Sequence, residues 1–210
     1  TFIDVLGALA QTDDHSVARA VLDRLSTLDN LLERSGEEDA RAQLRGLGKE
    51  WFEPTMKRLG FEAKEGDSQG DLQLRSLSIS ALGGLARDPA TIERCRHYAG
   101  LERADARTVD ANLAYAFLSV SANNGDDALH AAWLDTYRTR RQRGDAPQDC
   151  SRYLYTLTSF RADGLAERTL GEVLDGIIPQ EAIGGVLGQL MSNAKARPAA
   201  WAFMQKYWDV

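Results

Sequence analysis

Four of the five prolines in this chain stand where a helix is expected to begin, and their placement constrains the fold strongly. Pro89, Pro147, Pro179 and Pro198 each open an amphipathic stretch. A proline at the first helical position loses only an N–H group that has no partner there. Pro54 is the exception, because it lies inside a helical pattern and is expected to kink or split that helix.

Between these starts, apolar residues recur at helical spacing. Val17, Val21 and Leu25 share one face of a stretch that Asp14 or Ser16 can cap and that Gly36 can end. Strict alternation of apolar and polar residues is hard to find, so we predict no strands. The pattern predicts an all-α protein of about eleven helices. The starts recur at roughly thirty to forty residues, which favours an α-α superhelix, a HEAT/armadillo-like solenoid of antiparallel helix pairs.

The size of the chain suits one or two globular domains, since 210 residues that are 43% hydrophobic can bury a sizeable core. The polar segment from Gly60 to Gly70 is the clearest loop, and an internal boundary, if the chain has one, is expected there. The sequence begins with Thr1 and not with methionine, so we expect a piece of a longer protein or a processed product.

The final stretch, from Gln180 to Trp208, predicts two helices joined near Asn193. In the second of them Trp201, Met204 and Trp208 recur at spacings of three and four and form one apolar stripe. A short helix this aromatic is not stable alone in water. We therefore predict that it is docked, with Trp201 and Trp208 buried.

The charge balance argues against nucleic acid as a partner, because a net charge of −6 and a pI near 5.2 leave no clustered basic excess. The one basic run contains Arg138, Arg140, Arg141 and Arg143. It falls at the end of a predicted helix, where cations complement the helix dipole, so we interpret it as a solvated helix end. No apolar run is long enough to predict a membrane span, and the compartment stays open.

The side chains that most often perform chemistry are sparse. His15, His97 and His130 are scattered, so HExxH and other local zinc pairs are absent, and each is predicted to be a surface or cap residue. Cys95 and Cys150 are predicted to be buried thiols, with a disulfide left open. The residues alone therefore indicate a helical scaffold with no catalytic and no metal-binding residue.

The last helices carry a family resemblance. The run from Leu190 to Trp208 resembles the end of the C-terminal helical domain of aminopeptidase N-like zinc metallopeptidases, a group that includes the puromycin-sensitive and endoplasmic-reticulum enzymes. The residues that fit this pattern are Asn193, Arg197, Ala200, Trp201, Phe203 and Trp208. Tyr207 departs from it, because the family often has asparagine there.

Earlier segments extend the resemblance to roughly residues 15–210. Residues that fit are Leu74, Arg75, Leu157, Leu165, Arg168, Thr169, Leu170, Gln180 and Glu181, together with the Leu-Gly-Phe that begins at Leu59. Pro179 replaces a usual arginine. The resemblance implies that residues 1–210 are a partial C-terminal domain that lacks its first helices. The catalytic domain, with HExxH, a distant glutamate and the zinc, would lie outside this chain.

The resemblance also implies a function. In the family this domain caps the catalytic cleft, limits the access of peptides and helps to hold the peptide, so the implied partners are the parent's own catalytic domain and a peptide substrate. No catalytic residue can be transferred, and the substrate-binding residue stays open. A second interpretation is a free-standing HEAT/armadillo-like scaffold that binds a protein. A third is an unrelated helical enzyme whose site is assembled across helices.

Overall fold

Every regular element in the computed structural model is helical over residues 1–207, the residues that the structure describes. The all-α prediction and the number of helices are confirmed. The helices in this range are α1 (Phe2–Ala10), α2 (His15–Ser35), α3 (Glu38–Leu59), α4 (Gln69–Ser80), α5 (Pro89–Ala104), α6 (Ala111–Asn123), α7 (Asp127–Arg143), α8 (Pro147–Thr156), α9 (Leu165–Leu174), α10 (Gln180–Ser192) and α11 (Arg197–Lys206). A π-helical segment, Ala81–Leu85, continues α4, and 3₁₀ turns lie at Ala106–Thr108 and Leu157–Ser159.

The helix ends follow the predicted capping residues closely. The side chain of Asp14 accepts hydrogen bonds from the backbone N–H groups of Ser16 and Val17, which satisfies two of the unpaired donors at the start of α2. Gly36 ends the same helix with φ of 76°, a left-handed conformation that glycine adopts without a steric penalty. Local chemistry thus places these boundaries.

Three prolines lie in the first turn of a helix, as predicted, namely Pro89, Pro147 and Pro198. Pro179 stands one position before α10 and is its N-cap residue instead. Pro54 does not split α3, which runs unbroken from Glu38 to Leu59. The packing of buried residues on both sides of Pro54, such as Phe52 and Leu59, offsets the hydrogen bond that a proline removes.

The described chain divides into two compact units, residues 1–120 and 121–207. In the first unit α1 packs against α2, α2 against α3, and α3 against α4 and the π-helical segment. One cluster of buried side chains includes Leu25 and Phe52, and a second includes Phe61 and Phe117. The loop from 60 to 70, where an internal boundary was expected, lies inside this unit.

In the second unit α7 packs against α8, α10 against α8 and α11, and α9 against α11. The core centres on Trp133, which is 1% exposed. Its ring makes edge-to-face contacts with Tyr153 and Phe160, at centroid distances of 5.9 and 5.5 Å. Such aromatic pairs add to the stabilisation from area burial alone. Consecutive helices pair at α7–α8 and α10–α11, whereas α8–α10 and α9–α11 contacts skip one helix. The curved solenoid stays a prediction.

The terminal helix is docked, but not through the predicted stripe. Trp201 is 53% exposed, so the prediction that it is buried is wrong. The buried face of α11 carries Ala200 instead, which is 0% exposed and follows the buried Ala196 by one turn. Small side chains let α11 approach its neighbours closely, and this turns Trp201 outward. Trp208, the other tryptophan of the predicted stripe, lies outside the described residues.

Among the described residues, no helix combines the length and the apolar character that crossing a bilayer requires.

Candidate functional site

Arg75, one of the residues that carry the family resemblance, lies at the centre of the first unit and is 0% exposed. Its Nε donates to the carbonyl of Gly60 at 3.1 Å, and its Nη2 donates to the carbonyl of Leu59 at 3.2 Å. The same Nη2 lies 2.7 Å from a carboxylate oxygen of Asp67. Arg75 therefore ties both ends of the 60–70 loop to α4, while its neighbour Leu74 packs in the core.

The carboxylate of Asp67 is held from a second side. The backbone N–H of Lys64 donates to it at 2.6 Å. This hydrogen bond, and then the one from Arg75, keep the pKa of Asp67 below its ordinary value. The loop is thus ordered by a charged network, although its sequence alone indicates only a polar, glycine-rich break.

A polar cluster in the second unit joins α7 to α9. Nε2 of His130 lies 2.9 Å from the hydroxyl oxygen of Thr169, and that hydroxyl donates to the carbonyl of Leu165. The imidazole Nε2 is therefore the donor, which places the proton on Nε2. Beside the cluster, Arg168 forms an ion pair with Asp127 at 3.0 Å.

The prediction that every histidine is a surface or cap residue is wrong for His130, which is 0% exposed. His97 is exposed and His15 opens α2, so it holds for those two. The spacing of His130, Trp133 and Tyr137 is the signal that could have found the buried position. They occupy positions i, i+3 and i+7 of α7, and all three are buried.

The surroundings of His130 favour the neutral imidazole. Nδ1 is buried and has no hydrogen-bond partner among the described residues, and the ring packs edge-to-face on Phe160. Burial, followed by the nearby charge of Arg168, lowers the pKa of His130 to about 4, although Asp127 opposes this shift. Protonation of the folded protein would place an N–H donor where no acceptor exists.

We predict that this histidine makes the chain less stable in mild acid. Its pKa is lower in the folded state than the ordinary 6.5, so the unfolded state takes up the proton first. The stabilisation is complete above pH 6.5 and is lost as the pH falls from there towards 4. Between pH 8 and pH 5 the free energy of unfolding should fall by about 2 kcal/mol through this residue. Urea unfolding at a series of pH values measures the slope.

The matched variants for that experiment are His130→Gln and His97→Gln. In His130→Gln the free energy of unfolding should change less between pH 7 and pH 5, because the titrating group is gone. The second removes an exposed imidazole and should leave the slope unchanged. A slope that survives in His130→Gln would contradict the assignment.

Asn193 and Arg197 form the joint between the last two helices. Nδ2 of Asn193 donates to the carbonyls of Thr158 and Phe160, at 3.0 and 2.8 Å. Its Oδ1 accepts from the backbone N–H of Lys195 at 3.1 Å. Nε of Arg197 donates to the carbonyl of Met191 at 2.6 Å. These contacts fix the entry of α11 and hold the joint against the segment after α8.

The other residues of the resemblance lie in less demanding places. Gln180 is exposed at the first position of α10. Phe203 is half-buried, with its ring 4.8 Å from that of Tyr207. The residues of the resemblance thus differ in how much they contribute to the structure, and which residue binds substrate stays open.

The predicted basic run is occupied by contacts within the second unit. Arg138 pairs with Glu172 and Arg143 with Asp145, each at 2.5 Å. Arg141 donates to the carbonyl of Ile177. Arg140 is 4% exposed, with its guanidinium 4.7 Å from the centre of the Tyr153 ring. The interpretation as a solvated helix end is wrong for Arg140, whose long side chain covers a buried aromatic ring.

The first unit contains a cleft between α3 and α5, with a volume of about 320 Å³. We call it the α3–α5 cleft. Its charged lining residues are Lys49, Glu53, Lys57, Asp88 and Arg94, and its apolar lining includes Met56, Phe61 and Leu82. Lys49 pairs with Asp88 at 2.7 Å, and Lys57 with Glu53 at 3.0 Å. Burial would raise the pKa of Asp88, but hydrogen bonds from Lys49 and Thr91 outweigh it and lower that pKa.

Arg94 differs from the other cations of the α3–α5 cleft. Its guanidinium carbon lies 4.1 Å from the centre of the Phe61 ring, which is itself buried against Tyr98 and Phe117. The side chain of Arg94 is exposed, and within residues 1–207 no carboxylate lies within ion-pair distance of it. Stacking on the Phe61 ring holds the guanidinium in place, and a hydrogen bond with the hydroxyl of Tyr98 uses only part of its five donors. Arg94 is thus a positioned cation with capacity for a ligand.

A second cleft lies between α7, α8 and α10, with a volume of about 330 Å³. Its lining includes Tyr137, Arg141, Tyr155 and Glu181. The guanidinium of Arg141 already donates to the hydroxyl of Tyr137 at 3.1 Å and to the carbonyl of Ile177. This cation is therefore engaged within the protein, which makes the α3–α5 cleft the better candidate for ligand binding.

The cysteines and the metal-ligating residues form no reactive centre in the described part of the chain. Cys95 and Cys150 are buried free thiols, as predicted, and burial raises the pKa of Cys95 to about 12. Within residues 1–207 no group of three or more histidine, cysteine, aspartate and glutamate side chains is placed to hold a metal ion.

Comparison with known families decides what this scaffold is. The sequence model of one family, described as the ERAP1-like C-terminal domain, matches residues 1–210. The chain belongs to the ERAP1-like C-terminal domain family. The family resemblance stated for roughly residues 15–210 is thereby confirmed.

Two plant proteins illustrate the family. The chain is 27% identical over 169 residues to Aminopeptidase M1 of Arabidopsis thaliana, a match that covers 75% of this chain and 18% of the plant protein. It is 28% identical over 161 residues to Aminopeptidase M1-B of Oryza sativa subsp. japonica, covering 73% of this chain and 17% of that protein. An ERAP1-like C-terminal domain of this size thus spans less than a fifth of the relatives that it matches.

Proposed function

We propose that this chain is the non-catalytic C-terminal domain of a zinc-dependent aminopeptidase. In this proposal it covers the catalytic cleft of the parent and contributes to the access and binding of peptide substrates. Two findings support it: the match to the ERAP1-like C-terminal domain over the whole chain, and relatives that are named as aminopeptidases.

Zinc would belong to the parent's catalytic domain, where it would activate the water that attacks the peptide bond. A catalytic zinc site needs about three protein ligands and an open position. The described residues offer no such donor set, so we assign no catalytic step to this chain. Its part is to exclude water and to restrict what enters, which is how covering elements assist a reaction.

The single observation that carries the peptide-binding part is Arg94 at the α3–α5 cleft. Its guanidinium is stacked on Phe61, exposed, and free of a carboxylate partner in the described structure. Peptides present carbonyl oxygens and a terminal carboxylate, which are the acceptors that a guanidinium binds best. We propose that Arg94 contacts the part of a long peptide that extends beyond the cleaved residue.

The test replaces Arg94 by glutamine in the complete aminopeptidase. For a peptide of about ten residues, which reaches roughly 33 Å when extended, KM should rise about three- to tenfold. The kcat for that peptide, and both constants for leucine anilide, should stay unchanged, because the proposal places Arg94 beyond the reach of a single residue with its anilide. A change in KM alone is the signature of lost uniform binding.

The matched control is Arg24→Gln, which removes the same charge from an exposed position of α2. It should leave all constants unchanged. If both variants raise KM equally, Arg94 acts only through the net charge of the protein and does not contact the peptide. If the complete polypeptide hydrolyses no aminoacyl substrate and carries no peptidase domain, the alternative of a free-standing protein-binding scaffold replaces this proposal.

A further inference from the structure

We propose that a cavity between α5 and α6 binds the side chain of a lysine or arginine in the peptide substrate. Its volume is about 180 Å³, and we call it the α5–α6 cavity. The inference deepens the proposed function and rests on it, because it names a class of residue that the bound peptide carries. The lining residues that the argument uses are Glu62, Tyr98, Val109, Asp110, Leu113 and Phe117.

The size of the α5–α6 cavity suits a single side chain. Pockets for drug-sized ligands have volumes of about 300–1,000 Å³, and this cavity is smaller. Lysine and arginine carry their charge at the end of a long apolar stem. Such a side chain can enter a cavity of this size and leave the peptide backbone outside.

The walls of the cavity suit both the stem and the cation. Val109 and Leu113 are buried and give the cavity apolar surface. The rings of Tyr98 and Phe117 are stacked, with their centroids 4.9 Å apart. Aromatic rings attract a cation that approaches one of their faces. The lining therefore favours a cationic group on an apolar stem over an anion.

Two carboxylates give the cavity its charge. Oε1 of Glu62 accepts a hydrogen bond from the hydroxyl of Tyr98. Oδ1 of Asp110 accepts from the backbone N–H and from Nδ2 of Asn112, at 2.8 and 3.0 Å. Within residues 1–207 neither carboxylate forms an ion pair, and each keeps its second oxygen for a ligand.

The cations of the adjoining segments are placed elsewhere. Arg107, in the 3₁₀ turn before α6, pairs with Asp105 at 2.9 Å. The ammonium nitrogen of Lys64 lies over Gly60, 3.2 Å from the position that a Cβ would take there. Gly60 lines the α3–α5 cleft. Among the described residues that line the α5–α6 cavity, none is basic.

The α5–α6 cavity adjoins the place where Arg94 is held. Arg94 and Tyr98 stand one turn apart on α5. The hydroxyl of Tyr98 is hydrogen-bonded to the guanidinium of Arg94 and donates to Glu62. Burial, and then the bond to Glu62, raises the pKa of Tyr98, so this hydroxyl stays a donor.

This spacing matches that of an extended peptide. Four residues of helix rise about 6 Å, which is about the length of two residues of extended chain. A peptide whose carbonyl oxygen is bound by Arg94 can thus place a side chain one or two positions away in the α5–α6 cavity. A positive group on this domain binds the backbone, and a negative cavity beside it selects a basic side chain.

The test uses the complete aminopeptidase and peptides of about ten residues. One lysine is moved along the positions beyond the cleaved residue, and each peptide is paired with one that has norleucine at that position. Norleucine keeps the stem but lacks the ammonium group. We expect lysine to lower KM about three- to tenfold relative to norleucine at one or two neighbouring positions. Absence of a preferred position would overturn the inference.

Two variants remove the charges of the cavity and keep its hydrogen bonds. Glu62→Gln retains an acceptor for the hydroxyl of Tyr98, and Asp110→Asn retains one for the N–H of Asn112. In each variant the ratio of the norleucine KM to the lysine KM should fall to about half or less. The control is Glu65→Gln, which removes a charge from an exposed position of the same loop and should keep the ratio.

A ratio that survives in both cavity variants would overturn the inference, even if both KM values rise together, because the carboxylates would then serve another contact. An equal fall of the ratio in Glu65→Gln would overturn it too, because net charge would be the cause. If Arg94→Gln raises the peptide KM but no lysine preference exists, only this inference is refuted. A complete polypeptide that hydrolyses no peptide refutes the proposed function, and the inference falls with it.

Discussion

Replacement of Arg75 by methionine is expected to lower the free energy of unfolding by about 3–5 kcal/mol. The side chain is fully buried, and it pairs with Asp67 and donates to the carbonyls of Leu59 and Gly60. Methionine keeps much of the volume but removes every donor. Loss of one partner of a buried ion pair is costly because the other charge loses its compensation.

Thermal and urea unfolding measure the effect, and the expected loss corresponds to a fall of roughly 6–20 °C in Tm for a domain of this size. Arg24→Met, at an exposed position, should change Tm little. Limited proteolysis gives a local check, because the 60–70 loop should be cut faster once Arg75 no longer holds its ends. A stability of Arg75→Met within error of the control would show that the network contributes nothing.

Asn193→Leu should produce the second large effect, a loss of about 2–4 kcal/mol. The change is nearly isosteric, but it removes two donors to the carbonyls of Thr158 and Phe160 and one acceptor for Lys195. Partly buried carbonyls without donors carry a desolvation penalty, and several are affected at once. The joint that fixes the entry of α11 should loosen.

Urea unfolding measures the loss in the free energy of unfolding. Relative to the unsubstituted protein, Asn193→Leu should speed amide hydrogen exchange in α11 more than in α7. Gln180→Leu is the matched control, since it also replaces an amide that carries the family resemblance, but at an exposed position. It should cost less than about 0.5 kcal/mol. If both variants lose stability equally, the contacts of Asn193 are not the reason for its effect.

The helices and their ends could be predicted because local chemistry determines them. Asp14 and Gly36 bound α2 through hydrogen bonds and backbone conformation within a few residues. Pro89 and Pro147 start helices because a missing N–H is harmless in the first turn. The family resemblance also singled out Arg75 and Asn193 before their contacts were known. In both cases the information lies in a short segment.

The roles of those two residues depend on distant parts of the chain. Nothing near Arg75 in sequence indicates that it donates to carbonyls more than a dozen positions earlier. The α3–α5 cleft is likewise invisible in sequence, because Arg94 and Phe61 are brought together only by packing. Contacts between distant segments follow from the tertiary fold and leave no periodic signal.

The sequence-based predictions that were wrong concern which side of a helix faces inward. Periodicity gives the angles between side chains on one helix, but not the direction from which a neighbour approaches. On α11 both the Ala200 side and the Trp201 side are apolar. The Ala200 side is buried because its small side chains permit closer packing. On α7, His130 shares the face of Trp133, and burial of that face decided its charge state. The sequence by itself thus determined the helices, while the tertiary structure alone decided which faces became core, cleft or contact surface.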